Sequence, residues 1–535
     1  MATTGHKTGF ILSVILCFFL STSWAVSIPA LPPDADLRLQ QALSGTESQA
    51  WALQNLKELR RLYQARGYQK AWDETLLPRL ITALNNSTTH GLTPCDYRVN
   101  LLEKEDIDSV RRELVASDAY LTLAGHILSG KVDPVSITPS WSMASRQRDL
   151  VQHLTDALKS GEIEKSLDEL APRCHEYSTL KNALAHYRKI AQQGGWGLVA
   201  PGKLLKLGNH NERIIQLRAR LRISGDLAPE PSNQDPAEFN ATLQEAVKKF
   251  QNRANLEADG IVGLNTLRNL NKTPFDRINT LRINMERWRW LPEDLGRKHI
   301  RVNVAGFYLE AREQGEEPRI HKVIVGLGYR QTPIFSNAIK YLDFNPYWYA
   351  PRKLATQDKL PMFQEDPSYF TRAGFELLDR ENRIVDTNTI TWHELSINNF
   401  PYQLRQRPGP HNALGRVKFI FPNQHNVYLH DTPSQELFSK TQRVFSSGCI
   451  RVQQPLDLAQ WLLKGQDDWT RERIDAIIAE GKNTRILLKK PVPIYLLYWT
   501  VLVDRESQDL RFIDDGYQRD ERILQSLDTM CPMEE

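Results

Sequence analysis

Between Val427 and Val452 the chain reads VYLHDTPSQELFSKTQRVFSSGCIRV, and His430 and Cys449 within it are of types that do nucleophilic chemistry together. A thiol at its ordinary pKa of about 8.5 is mostly protonated at neutral pH, so it attacks only when a neighbour takes the proton. An imidazole can take it, provided a third group holds the ring in the right tautomer. Gly448 lets the backbone turn tightly and leaves the thiol uncrowded. The amides of Gly448 and Cys449 are candidate donors to an oxyanion, the contribution that often dominates acyl transfer. A cysteine and a histidine on separate elements are more commonly an inert core thiol and a surface imidazole. The composite raises the odds here: His430-Asp431-Thr432, then 15 residues, then Gly448-Cys449-Ile450-Arg451.

Short β runs must carry these residues. HIRVNVAGFYLEARE alternates in its first half (Ile300, Val302, Val304), and HKVIVGLGY, RVKFIFPN, VYLHD and RILLKK read as further strands. PLDLAQWLLKG reads as a helix with Pro455 in its first turn and Gly465 past its end. PVPIYLLYWTVLV (491–503) is short, proline-led and β-branched, so a buried strand is expected rather than a membrane span. The unit 273–535 is therefore mostly β with peripheral helices. Residues 347–407 do not alternate, hold several prolines and aromatics, and read as an inserted subdomain.

Upstream the pattern is helical. Over 37–200 the runs LKELRRLYQARGYQKAW, AYLTLAGHILSGKVDP and TLKNALAHYRKIAQQGG recur; in the last, Leu180, Ala183, Leu184, Tyr187 and Ile190 share a face and Gly194-Gly195 stop the helix. This region shows no catalytic constellation and reads as a scaffold. Residues 204–272 form a smaller three-helix unit, with Ala246, Val247 and Phe250 on one apolar face, Leu264, Leu267 and Leu270 on the next, and a breaker, ADGIVG, between them. The fold class is multidomain α+β.

The 535 residues suggest about three or four units. A net charge of +4 with both signs interspersed argues against nucleic acid as the partner. Lys7, the apolar GFILSVILCFFL and STSWA read as a secretory signal over 1–25, cut after Ala25; an uncleaved anchor is the alternative. Beyond Cys17 in that segment stand Cys95, Cys174, Cys449 and Cys531, none in a C-x-x-C pair. A Cys95–Cys174 bridge and two buried thiols both stay open. No metal is expected: WHEL at 392–395 lacks the second histidine of a zinc-protease motif, Ile397 standing in its place.

The composite motif resembles that of the L,D-transpeptidases (the YkuD-type domain), in which a histidine precedes an S/T-x-G-C-I/V-R segment; Tyr428, His430, Asp431, Ser446, Gly448, Cys449, Ile450 and Arg451 match. GPHNALGRVKFIFPN is similar to that domain's P-x-N-x-L-G-x-x-K-F segment, and AVKKFQNRANLEADGIVGLNTLRNLN resembles a three-helix peptidoglycan-binding module. The succession YQARGYQKAW, HGLTPCDY, HILSGKVDP, module, FNPYWYAPR, FSSGCIRV is that of the large periplasmic YcbB type.

The resemblance implies Cys449 as nucleophile, His430 as base and the carbonyl, not the carboxylate, of Asp431 as the third member. It implies Tyr428, Ser447, Gly448 and Arg451 as residues facing substrate, with a bracing role for Arg451 weighed equally. Many members have histidine where Ser447 stands, which leaves His430 as the only local base. The implied reaction joins peptidoglycan stem peptides through their diaminopimelate residues by a cysteine thioester, with release of D-alanine. No cofactor, metal or nucleic acid is implied. A monomer in the periplasm, cell-wall synthesis proteins as partners, a capping role for 347–407 and inactivation by carbapenems are. An L,D-carboxypeptidase or endopeptidase using the same cysteine, or a non-catalytic wall-binding scaffold, are the alternatives.

Overall fold

The structure, a computed structural model, describes residues 36–528 apart from 230–233, 468, 505–506 and 508. The signal segment 1–25 and Cys531 lie outside the described residues.

The β-rich unit begins with β1 (Lys298–Asn303), β2 (Tyr308–Glu313), β3 (Arg319–Gly326) and β4 (Phe335–Phe344). The segment from 347 to 407 then leaves the sheet. It pairs β5 (Trp348–Tyr349), β6 (Phe375–Leu378) and β7 (Gln403–Gln406) in a sheet of their own, in the order β5-β7-β6. Its aromatics bury one another: Phe363 meets Phe370, Phe375 and Trp392 with ring centroids 5.1, 5.2 and 5.4 Å apart. Buried Asn412 joins the two ends of the segment, donating to the carbonyls of Pro346 (3.0 Å) and Arg407 (2.9 Å).

The main sheet resumes with β8 (Val417–Ile420), β9 (Leu429–His430), β10 (Val444–Ser446), β11 (Ile450–Val452) and β12 (Thr484–Leu497). Its order is β10-β3-β11-β9-β8-β4-β12-β1-β2, and β2 also pairs with β3, so the sheet closes on itself. Alternate residues fill the interior, among them Ile300, Val302, Leu342, Phe419, Leu429, Ile450 and Leu496. The run 491–503 becomes the end of β12 and the strand β13 (Val501–Val503), which pairs with β14 (Leu510–Phe512). No described helix is long and apolar enough to cross a membrane.

Helices make up the N-terminal region, whose core from Leu39 to Leu170 also takes in Ile283, Trp290, Ile523 and Leu527. The helix His175–Gln192 packs on Pro274–Arg289, and Leu180, Leu184 and Tyr187 share one core with Leu281, Trp499 and Phe512. The C-terminal helix Asp520–Leu527 inserts Ile523 and Leu527 among the N-terminal helices. The three-helix unit, by contrast, closes a core of its own from Val199 to Leu270, so the shared cores join the helical region to the β-rich unit across it.

Pro274–Arg289 is the pin. Glu286 and Arg289 are fully buried and paired. Glu286 accepts from the Val132 amide at 2.7 Å and the Trp290 indole at 3.1 Å, while Arg289 donates to the His90 carbonyl at 2.8 Å and the Tyr177 hydroxyl at 3.1 Å. HILSGKVDP and HGLTPCDY meet here. A Cβ on Gly130 would lie 2.6 Å from Glu286, and Lys131 pairs with Asp96 at 2.7 Å.

Three expectations need correction. Cys95 is disulfide-bonded, but not to Cys174, whose thiol is free. Leu264 is 81% exposed, because the helix Leu264–Leu270 turns Leu270 inward and carries its own first residue off that face. The helix from Leu56 ends at Ala65, stopped at Gly67, whose φ is +60°, so YQKAW is not helical.

Glu286→Gln would leave the Arg289 charge buried without its counter-ion. A loss of about 3–5 kcal/mol is expected. Urea unfolding of the variant beside wild type measures it; coincident midpoints would overturn the role given to this pair.

Candidate active site

Parallel pairing of β9 with β11 brings the chemistry together. Leu429 stands opposite Ile450 and His430 opposite Arg451, with the Ile450 amide donating to the Tyr428 carbonyl at 3.1 Å. Leu429 and Ile450 point into the closed sheet. Strand alternation then puts Tyr428, His430, Cys449 and Arg451 on the other face, side by side. The Tyr428 and His430 rings meet edge to face, 5.7 Å apart.

Cys449 follows a turn that requires glycine: Gly448 has φ +117°. Ser446 Oγ accepts from the Gly448 amide at 3.1 Å and donates to the Cys449 carbonyl at 2.5 Å. Thr332, between β3 and β4, accepts from the Gly326 amide (3.0 Å) and donates to the Gly448 carbonyl (2.8 Å). The Tyr517 hydroxyl donates to the Gly326 carbonyl at 2.5 Å. The turn before Cys449 is thus held from within by Ser446 and from the β3–β4 segment by Thr332, with Tyr517 holding Gly326 behind it. Since the Gly448 amide is spent on Ser446, the Cys449 amide is the remaining one of the two proposed oxyanion donors.

His430 is 5% exposed, and its Nδ1–H donates to the Asp431 carbonyl at 2.5 Å. A carbonyl only accepts, so the proton is on Nδ1 and Nε2 keeps its lone pair. The Asp431 carboxylate turns away to the Arg416 guanidinium at 2.8 Å and the Gln435 amide at 3.1 Å. A Cβ on Gly415 would sit 2.5 Å from the Asp431 side chain, which explains the glycine in NALGRVKF.

Burial, with the Arg451 and Lys418 charges adding to it, pushes the His430 pKa down to about 3. The imidazole is neutral at pH 7. Burial also pushes the Cys449 thiol up, against the opposing pull of the Tyr428 amide and hydroxyl and of Arg451. The resting pair is a thiol and a neutral imidazole, not a thiolate–imidazolium pair. Cys449 Sγ donates to the Asn426 carbonyl at 3.8 Å, and no hydrogen bond joins it to His430 among the described residues.

The Arg451 guanidinium makes no hydrogen bond or ion pair among the described residues, and its Nε is buried without a partner. It does not brace the turn; its fork is unused beside the thiol. Ser447 accepts from Arg330 at 3.0 Å. Arg330 and Thr332 escaped sequence reasoning. Their segment, GYRQTP, carries no periodicity, and only the fold brings it to Gly448. Among the described residues no three His, Cys, Asp or Glu side chains gather as a metal site.

In the three-helix unit the motif residues bond to one another. Gln251 donates to Asp259 (2.8 Å), the Ile261 carbonyl (3.0 Å) and Thr266 (3.1 Å), and accepts from the Gly260 amide at 2.8 Å. They hold the turn, so the motif defines a fold and not a ligand contact.

Cys449, the tautomer-fixed His430 and the unpaired Arg451 thus stand together on the outer face of a closed β sheet. The L,D-transpeptidase catalytic domain family matches residues 297–479, the family described as "Putative peptidoglycan binding domain" matches 210–270, and a scaffold domain family matches 57–184. The chain carries a YkuD-type L,D-transpeptidase catalytic domain beside a peptidoglycan-binding domain. It is 35% identical over 243 residues to a Haemophilus influenzae protein named "Putative L,D-transpeptidase", with 45% of this chain and 48% of that protein covered. The chain thus spans about half the length of the curated relative it matches. Two solved structures are similar in part. An L,D-transpeptidase from Xylanimonas cellulosilytica is 17% identical, over 56% of this chain and 99% of its own, with a TM-score of 0.18. One from Stackebrandtia nassauensis is 12% identical, over 56% and 96%, with a TM-score of 0.20. Scores this low transfer no geometry.

With a thiol at rest, thiolate absorbance near 240 nm, taken as wild type minus Cys449→Ala, is expected to be nil at pH 7 and to rise only above about pH 8.5. A thiolate signal at pH 6–7 would contradict the neutral pair. The His430 pKa also has a stability consequence. Between about pH 6.5 and 3 the unfolded chain takes up a proton there that the folded chain does not, so stability falls as the pH falls through that window. Relative to His430→Gln, wild type should lose up to about 1.4 kcal/mol per pH unit between pH 6 and 4. Urea unfolding across that range tests it, and parallel curves would refute it.

Proposed function

We propose that the chain is a peptidoglycan L,D-transpeptidase that forms direct diaminopimelate–diaminopimelate cross-links through a thioester on Cys449. The observation that carries this reading is the shared outer face of β9 and β11, where Cys449, His430 with Nε2 open, and the unpaired Arg451 stand together. A donor tetrapeptide places the carbonyl of its diaminopimelate against Sγ. The thiol leaves the Asn426 carbonyl, gives its proton to His430 Nε2, and Sγ bonds to the carbonyl carbon. Geometry of this kind commonly tightens only with substrate bound. As the tetrahedral adduct collapses, the bond to the terminal D-alanine breaks and His430 returns the proton to the leaving amine. The side-chain amine of a second stem then attacks the thioester carbon and gives its proton to His430; the C–S bond breaks, the amide forms, and the proton passes to Sγ to restore the thiol.

The Cys449 amide and the Tyr428 hydroxyl are the nearest oxyanion donors, and Arg451 suits a substrate carboxylate. The subdomain 347–407 caps the site, since Tyr428 packs against both its core and the barrel's. The module over 210–270 brings cell wall to the site or orients the catalytic unit. The reading places the protein in the periplasm, acting as a monomer beside cell-wall synthesis proteins, and makes it a carbapenem target. If water replaces the second amine, the same cysteine makes an L,D-carboxypeptidase or endopeptidase.

Incubation with defined tetrapeptide muropeptides, with products resolved by mass, tests the reading. Cross-linked dimers with loss of D-alanine are expected from wild type and none from Cys449→Ala, which should also fail to form a carbapenem adduct. His430→Ala should slow acylation by roughly 10²–10⁴-fold. Tripeptide alone would favour the hydrolase, and wild-type acylation in either variant would defeat the assignment.

A further inference from the structure

Arg330 joins the turn before Cys449 to the inserted subdomain. From the turn between β3 and β4 its NH1 donates to Ser447 Oγ at 3.0 Å, two residues before Cys449. The same guanidinium pairs with Asp358, NH1 to Oδ2 at 2.9 Å and NH2 to Oδ1 at 3.3 Å. Asp358 is carried by the π-helix Leu354–Lys359 of the inserted subdomain. Such wide turns cost hydrogen-bond geometry and cluster at functional sites.

The two ends of this bridge differ in stiffness. On the barrel side the Arg330 backbone is held tightly: a Cβ on Gly326 would lie 2.0 Å from the Arg330 carbonyl oxygen, and Thr332, two residues on, bonds the Gly448 carbonyl. On the other side the Asp358 side chain is 41% exposed, against 15% for Arg330. A charged pair open to water on one side is weak enough to part and reform, and salt weakens it further. The insertion's own ends are fixed by Asn412, so the bridge is a second, separate tie to the barrel.

We infer that Arg330 is a positioning residue: through Asp358 it sets how closely the subdomain closes over Cys449, and through Ser447 it couples that closure to the nucleophile turn. The inference rests on the reading of Cys449 as the reactive thiol. It also gives Ser447 a role: a hydroxyl there accepts from Arg330.

Alkylation of Cys449 tests this without any peptide chemistry. In a Cys174→Ser background, which removes the other free thiol among the described residues, rates are measured with iodoacetamide and with the bulkier, uncharged pyrenyl iodoacetamide. Asp358→Asn and Arg330→Gln should each speed the bulky reagent by about three- to fivefold and change the small one by less than about 1.5-fold. Arg330→Lys, which keeps the charge, should stay near wild type. Salt at 1 M should raise the bulky rate in wild type but not in Asp358→Asn. An unchanged ratio in every variant would overturn the inference. So would equal shifts in Arg330→Lys and Arg330→Gln without salt dependence, which mark a purely structural residue. If the ratios move as expected but no muropeptide is ever joined, the acyl-transfer reading fails and the role of Arg330 stands.

Discussion

The buried Glu286–Arg289 pair is the constraint on which the rest of the assembly depends. Removing two charges from water costs several kcal/mol per ion, and the cost is offset only when the remaining donors and acceptors are satisfied. Here they are satisfied from elsewhere in the chain: His90, Val132 and Tyr177 all come from the N-terminal region. The helix Pro274–Arg289 opens the β-rich unit, so separating that unit from the helical region would give up the bonds that Val132, His90 and Tyr177 make to the pair. The shared apolar cores around Leu281 and Ile523 express the same requirement in hydrophobic terms.

From that anchored helix the chain enters a closed sheet whose interior is filled by one set of alternate residues. Closure determines what the other set can do. On β9 and β11 the inward positions are taken by Leu429 and Ile450, and everything with chemistry falls outside by alternation. The turn before β11 gains its rigidity from Ser446, Thr332 and Tyr517, none of which reacts.

Burial has opposite effects on the two reacting groups and leaves both neutral. It lowers the imidazole and raises the thiol, which suits general-base transfer at the moment of attack rather than a standing thiolate. A protonated thiol is also poorly reactive towards adventitious electrophiles and oxidants. The Asp431 carbonyl is as necessary to this arrangement as the imidazole, because it selects the tautomer that leaves Nε2 open.

What the sequence by itself determined is local. His430, Cys449 and Gly448 could be picked out because a thiol needs a base and a tight turn needs glycine, and strands such as that around Ile300 and Val302 were legible from alternation. The helix face of Leu180, Leu184 and Tyr187 was legible from its period, whereas Leu264 shows that period alone does not say which turn of a helix meets the core. Only the tertiary structure decided what depends on pairing at a distance. It made β9 and β11 parallel neighbours, turned the Asp431 carboxylate to Arg416, and left the Arg451 fork unused. It also left Cys174 free, against the Cys95–Cys174 bridge that the sequence left open, and brought Arg330 between Ser447 and Asp358. The physical reason is that side-chain periodicity is imposed by the backbone within an element, while the partners of a charge or a hydrogen-bond donor are chosen by burial, and burial is a property of the whole fold.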